Sequence, residues 1–240
     1  MRRLKYNEAD DLALQFRKRI GLMMDEPIHV KTILRQLNIL TLYRPLSQDF
    51  HGLSLKSKDG KCFILVNCNQ TRGHQHFTVA HEWYHLFMET EEVVPHFNND
   101  QEGGSRSVSE QNADLFASSL LLPSTALRAL IPTGELKLKS ISLATILKLE
   151  QYFGVSRSAL LNRLSHMRLI DNETYDRLKA EPVIKSARQY GYDISIYEPG
   201  NENLIIGDYG EKARLLFESE QISEGHYIEL MNLIGYNEED

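Results

Sequence analysis

Residues 80–86 read Ala80-His81-Glu82-Trp83-Tyr84-His85-Leu86, a carboxylate between two imidazoles inside a run with helical apolar spacing. On a helix, positions four apart lie about 40° apart around the axis and one turn along it, so the rings of His81 and His85 can aim at one point. Zinc takes imidazole nitrogen in that geometry. Glu82, next to the first ring, points where it can reach a water on the metal rather than the metal itself, which is the position of a general base. The plainer alternative is a buried helix whose histidines hydrogen-bond to neighbours, so the rest of the chain has to decide.

A catalytic zinc needs a third protein ligand and an open fourth position. An HExxHxxGxxH extension is excluded, because Met88 and Glu91 stand where it needs Gly and His. A later apolar stretch, ending at Pro123, carries Glu110 and Asp114 one helical turn apart. Glu110 is the candidate third ligand. Asp114 is the candidate acceptor for the far nitrogen of His81, a bond that would fix the ring's tautomer. Ala113, Leu115, Phe116, Ala117 and Leu120 predict that much of this helix is buried, and a buried carboxylate needs a partner. His74, His76 and His96 lack ligand spacing; His96, in a polar segment over 89–109, is a candidate for polarising substrate.

Outward from the motif the spacing predicts helices over 7–22 and 30–37, then a strand over 39–43. A hairpin is predicted at 52–67 with its turn at Asp59-Gly60. Residues 77–88 read as a buried helix, and 89–109, with Pro95 and Gly103-Gly104, as a long loop. The second strand of the hairpin is a candidate edge that could pair with an extended substrate, with Phe63 and Leu65 on it. Residues 142–165 read as helix, turn, helix, with Gly154 in the turn and Ser156 as N-cap. Beyond Asp171 the pattern suggests two helices, a short strand and two further helices. The expected fold class is α+β, divided as a core over 1–123, a helical segment over 124–170 that completes it, and an extension over 171–240 for partner or substrate contact.

Of the 240 residues, 42 % are hydrophobic and 25 % charged, as in a folded soluble protein. Neither a signal-peptide h-region nor about 18 consecutive apolar residues is present, which predicts a cytoplasmic chain without a membrane span. Cys62 and Cys68 lie in or beside an apolar run and read as core thiols. The net charge of −6 is unevenly spread: 124–170 hold 7 Lys and Arg against 2 Asp and Glu, and 171–240 hold 6 against 16. The basic helix-turn-helix stretch therefore makes DNA contact through Arg157 and Arg163, with Arg168 nearby, a rival reading, although the acidic tail opposes it. A third reading keeps the fold and drops the chemistry, leaving a metal-binding or metal-free sensor that holds a protein partner without cutting it.

The run from His76 to His85 (HFTVAHEWYH) followed by residues 110–123 (EQNADLFASSLLLP) resembles the ImmA/IrrE-type metallopeptidases, whose pattern is FTxAHExxH and then ExxA[ND]xFAxxLLxP. The resemblance covers residues 5–170. It implies a small zincin-like, gluzincin-type fold, a zinc ion (manganese being the alternative) on His81, His85 and Glu110, and Glu82 as base. It further implies cleavage of a helix-turn-helix repressor to release mobile-element or stress genes. Tyr84 departs from the pattern, which has a small residue there, so a bulky ring must find room beside the site.

Overall fold

The computed structural model describes residues 2–89 and 107–234, and the backbone of 96–99. Two helices, α1 (Tyr6–Arg19) and α2 (Val30–Gln36), lead into strands β1 (Leu40–Arg44), β2 (Phe50–Lys56) and β3 (Cys62–Asn67). Helix α3 (Arg72–Phe87) carries the histidine motif, strand β4 spans His96–Asn99, and helix α4 spans Val108–Leu121. Helices α5 (Ser124–Leu130), α6 (Thr133–Leu138), α7 (Leu143–Phe153), α8 (Arg157–His166), α9 (Asn172–Ala180) and α10 (Val183–Gln189) follow. A last strand, β5 (Ile205–Ile206), and helices α11 (Tyr209–Glu218) and α12 (Glu224–Asn232) complete the described chain. The fold is mixed α+β, as the sequence predicts.

Differences from the periodic reading have local causes. Helices α5 and α6, seven and six residues long, occupy a stretch to which the spacing assigns no element. Each starts directly after a proline, Pro123 or Pro132, and is too short to show a period. α3 begins five residues earlier than the apolar pattern, because Thr71 caps it by accepting a hydrogen bond from the His74 amide. The predicted loop over 89–109 contains the strand β4; the His96 side chain lies outside the described residues.

The sheet runs in the order β4-β2-β3-β1-β5. β3 pairs antiparallel with β2 on one side and parallel with β1 on the other. The edge expected at Phe63 and Leu65 is therefore an interior strand, and its backbone groups are already committed to neighbours. Phe63 instead lines a groove with Leu55 and Leu216, between the sheet and α11. The sequence pattern gave the strand but not its rank in the sheet, which depends on β1 crossing past the hairpin to pair with its far member.

α3 lies against the inner face of the sheet, at a separation only glycine allows. A Cβ on Gly52 would come 2.5 Å from Thr78 Cγ2 and 2.9 Å from the Leu65 carbonyl oxygen. On its other side α3 packs with α1 and α4 around Phe16, whose ring lies 5.5 Å from Trp83, 5.7 Å from Phe87 and 5.8 Å from Phe116. Hydrophobic burial on this scale stabilises the layer, since each fully buried side chain of this kind contributes about 1.5–3 kcal/mol.

The helix-turn-helix geometry is present: α7 ends at Gly154 in the left-handed region (φ 64°), and Ser156 caps α8 by accepting from the Ala159 amide. Its turn is docked on α3, because a Cβ on Gly73 would sit 2.8 Å from the Ser156 amide nitrogen, and His76 Nδ1 donates to the Gly154 carbonyl at 2.8 Å. Arg157 and Arg163, proposed from sequence as DNA contacts, are both buried. Arg157 binds Glu150 and Arg163 binds Asp10 and the Leu122 carbonyl. Buried guanidinium groups engaged by carboxylates and a backbone carbonyl are not presented to phosphate, so this expectation is corrected. The acidic extension is also tied in: Asn201 donates to Gln75 Oε1 at 2.7 Å, Gln75 donates to the Gly200 carbonyl at 3.0 Å, and β5 pairs with β1.

Candidate metal centre

His81 and His85 sit one turn apart on α3, and α4 crosses it so that Glu110 reaches both. Ligand atoms of the three residues all lie within 4.8 Å of one another. His81 Nε2 is 3.0 Å from Glu110 Oε2, His85 Nε2 is 3.3 Å from Glu110 Oε1, and the two Nε2 atoms are 3.1 Å apart. Both rings are buried.

The outer nitrogens decide the chemistry of the inner ones. His81 Nδ1 lies 2.9 Å from Asp114 Oδ1, and His85 Nδ1 lies 3.0 Å from Glu89 Oε2. A carboxylate can only accept, so Nδ1 of each ring donates outward, and where a cation takes the place of any Nε2 proton the Nε2 lone pair faces inward. In that state two lone pairs and the Glu110 carboxylate converge on the cation's position. That donor set fits a divalent cation with a preference for nitrogen and oxygen, and the 3.1 Å separation is close to the roughly 3.3 Å that ligands on a tetrahedral zinc would span.

The titration behaviour follows from this crowding. Burial opposes charge on His81, but hydrogen bonds to Asp114 and Glu110 outweigh it and raise its pKa to about 10. His85 is raised for the same reasons, through Glu110 and Glu89. Burial would raise Glu110, yet its two imidazole partners hold it well below the usual carboxylate range. Such a cluster attracts positive charge, and a metal supplies it without the protons.

Glu82 behaves differently. It is completely buried, and neither of its carboxylate oxygens has a hydrogen-bond partner among the described residues. Burial raises its pKa, while the two imidazoles pull it back. A buried carboxylate with a raised pKa is a stronger proton acceptor than an exposed one and is suited to taking and returning a proton. The missing side chain at Gly52 keeps space open beside it: a Cβ there would lie 3.6 Å from Glu82 Oε1.

Tyr84 finds its room. It is 4 % exposed, its ring meets that of Phe116 at 5.7 Å and lies edge-on to His85 at 5.8 Å. The bulky ring thus fills the α3–α4 interface behind His85 without entering the ligand cluster.

Asp114 stands where the sequence places it, against His81. Glu89 was not read from the sequence as part of the site. It holds His85 and also accepts from the Ser109 hydroxyl on α4. The signal was available: the spacing of four that pairs His81 with His85 recurs from His85 to Glu89, one more turn along the same face. Beside the cluster a cleft of about 400 Å³ opens between α3, α4 and α8, with Asp114 in its wall.

A peptidase family model described as IrrE N-terminal-like domain matches residues 34–165, more than half of the 240-residue chain. A comparison with curated proteins finds no match.

Proposed function

Because the chain belongs to the peptidase family described as IrrE N-terminal-like domain, we propose that it is a zinc-dependent endopeptidase of zincin-like layout. Its substrate in this reading is a specific cytoplasmic protein, a helix-turn-helix repressor, whose cleavage releases the genes it silences. One observation carries the chemistry: two tautomer-fixed imidazoles and one carboxylate converge beside a second carboxylate, Glu82, that is buried and uncommitted.

Zinc held by His81, His85 and Glu110 would supply Lewis acidity, polarising a peptide carbonyl and easing deprotonation of water. Asp114 and Glu89 hold the two rings in the tautomer that presents Nε2 inward. Glu82 accepts a proton from the attacking water at a carboxylate oxygen and delivers it to the leaving amine. The burial of α3 and the close approach of β2 at Gly52 keep bulk water from Glu82, which strengthens these interactions. With β3 paired on both sides, β4 is the outer strand next to β2 and the better candidate for pairing with substrate backbone.

The reading is tested by incubating wild type and Glu82→Gln with a repressor encoded beside this gene, with metal content measured in both. Cleavage by wild type alone is the expected result. A repressor left intact by wild type with one zinc per chain would end the peptidase reading in favour of a binding role. Among the described residues no helix is long and apolar enough to cross a membrane.

A further inference from the structure

The cleft beside the histidine cluster has a wall that the chemistry leaves unused. On α8 the exposed positions Ser158, Asn162 and His166 recur at intervals of four, and all three line the cleft. The opposite side of α8 is fixed in the core by Leu160, Leu161 and Leu164. The second helix of the helix-turn-helix pair therefore turns its polar stripe towards the histidine cluster's cleft. Asn162 is held in place, accepting a hydrogen bond from the Tyr175 hydroxyl at 2.8 Å.

Two ring pairs frame the same space. Tyr6 and His166 lie 5.0 Å apart with a 43° tilt, and His51 and His74 lie 4.7 Å apart with a 31° tilt. Phe77 and Leu115 add apolar surface. The charged residues of the lining, Arg3 and Asp114, have opposite signs, and Asp114 is engaged by His81. A lining of ring faces and edges with little net charge suits a flat, uncharged side chain, because aromatic rings prefer tilted or offset contact with other rings.

The position relative to the ligand cluster is fixed by α3. His74 precedes His81 by seven residues, about 10 Å along the helix axis, a span that an extended peptide covers in about three residues. We propose that this cleft is the subsite that selects the substrate, seating an aromatic side chain two or three residues from the bond held at His81 and His85, with α8 as its reading wall. The location of the bond rests on the peptidase reading; the binding preference does not.

The test separates the two. Labelled decapeptides of Gly and Ser, carrying a single Phe, Leu, Asp or Lys, are titrated by fluorescence anisotropy with the zinc-loaded full chain bearing Glu82→Gln, and incubated with wild type for product mapping by mass spectrometry. The Phe peptide is expected to bind about tenfold more tightly than the others. Ala159→Trp, which fills the cleft, and His166→Ala, which removes one ring, should each abolish that preference while zinc content stays unchanged. Equal binding of the Phe and Leu peptides, or a Phe preference that survives both substitutions, overturns the assignment. Phe-selective binding together with a repressor left intact by zinc-loaded wild type leaves the cleft assignment standing and sinks the peptidase reading. Cleavage indifferent to the aromatic residue does the reverse.

Discussion

Two clusters of charged side chains among the described residues differ in the groups that meet in them. Around Glu150, the Arg157 guanidinium and the Tyr197 hydroxyl both donate, and Arg157 reaches on to the Ser186 hydroxyl. One anion meets one cation and every strong group has a partner. Around His81 and His85, the carboxylates of Glu89, Glu110 and Asp114 meet two imidazoles, and the Glu82 carboxylate is buried beside them. The closed cluster joins α7, α8 and the extension; the other brings two imidazoles and a carboxylate to one point that a cation can occupy. Buried charge is costly unless compensated, and at the second cluster a bound cation would supply that compensation.

The contrast can be broken most severely at Glu82. On the proposed peptidase reading, Glu82→Gln should lower cleavage of the proposed repressor substrate by about 10²- to 10⁴-fold with zinc content unchanged, as followed by product formation and metal analysis. A variant that also loses its metal would mean that Glu82 holds the cluster together rather than moving protons. In the closed cluster, Arg157→Met should cost about 3–5 kcal/mol in urea unfolding by leaving Glu150 buried without its cation. Adding Glu150→Leu should recover much of that loss, and failure to recover it would show that the pair does not act as a unit.

Smaller effects sharpen the comparison. Asp114→Asn and Glu89→Gln should each weaken zinc binding by about 10- to 100-fold in chelator competition; unaltered affinity for Glu89→Gln would remove it from the site. The smallest effect concerns His76, at the joint between α3 and the α7–α8 turn. Burial holds its pKa below the ordinary 6.5, the Gly154 carbonyl opposing this only in part. The unfolded chain therefore takes up the proton first, so the stability due to neutral His76 is present above pH 6.5 and is lost as the pH falls through the lower folded value. The drop in Tm between pH 7.5 and 5.5 should be smaller in His76→Gln than in wild type.

Much of the candidate site is legible in local spacing. His81, Glu82 and His85 share one helix, and the Glu110–Asp114 pair shares another, so the intervals of three and four that define a helix face also define the donors. Glu89 obeys the same interval, but it lies past the last apolar residue of the run, where a polar residue reads as loop. Gly52 could not be tied to Glu82 from sequence, because its relation to α3 depends on packing between a strand and a helix. The arginines of α8 misled for a related reason. Arg157 and Arg163 look like phosphate contacts in a basic stretch, but their partners are Glu150, seven residues away, and Asp10, far back on α1.

The sequence by itself determined the helices and strands that carry the site, the two-part motif, and which residue types could hold a cation and move a proton. It did so because those properties depend on intervals of a few residues along one element. Only the tertiary structure decided that α4 crosses α3 at Glu110, that β3 is interior and not an edge, and that α8 faces a cleft beside the histidines. Those outcomes depend on which surfaces bury each other across tens of residues, and side-chain partners chosen at that range leave no period in the chain.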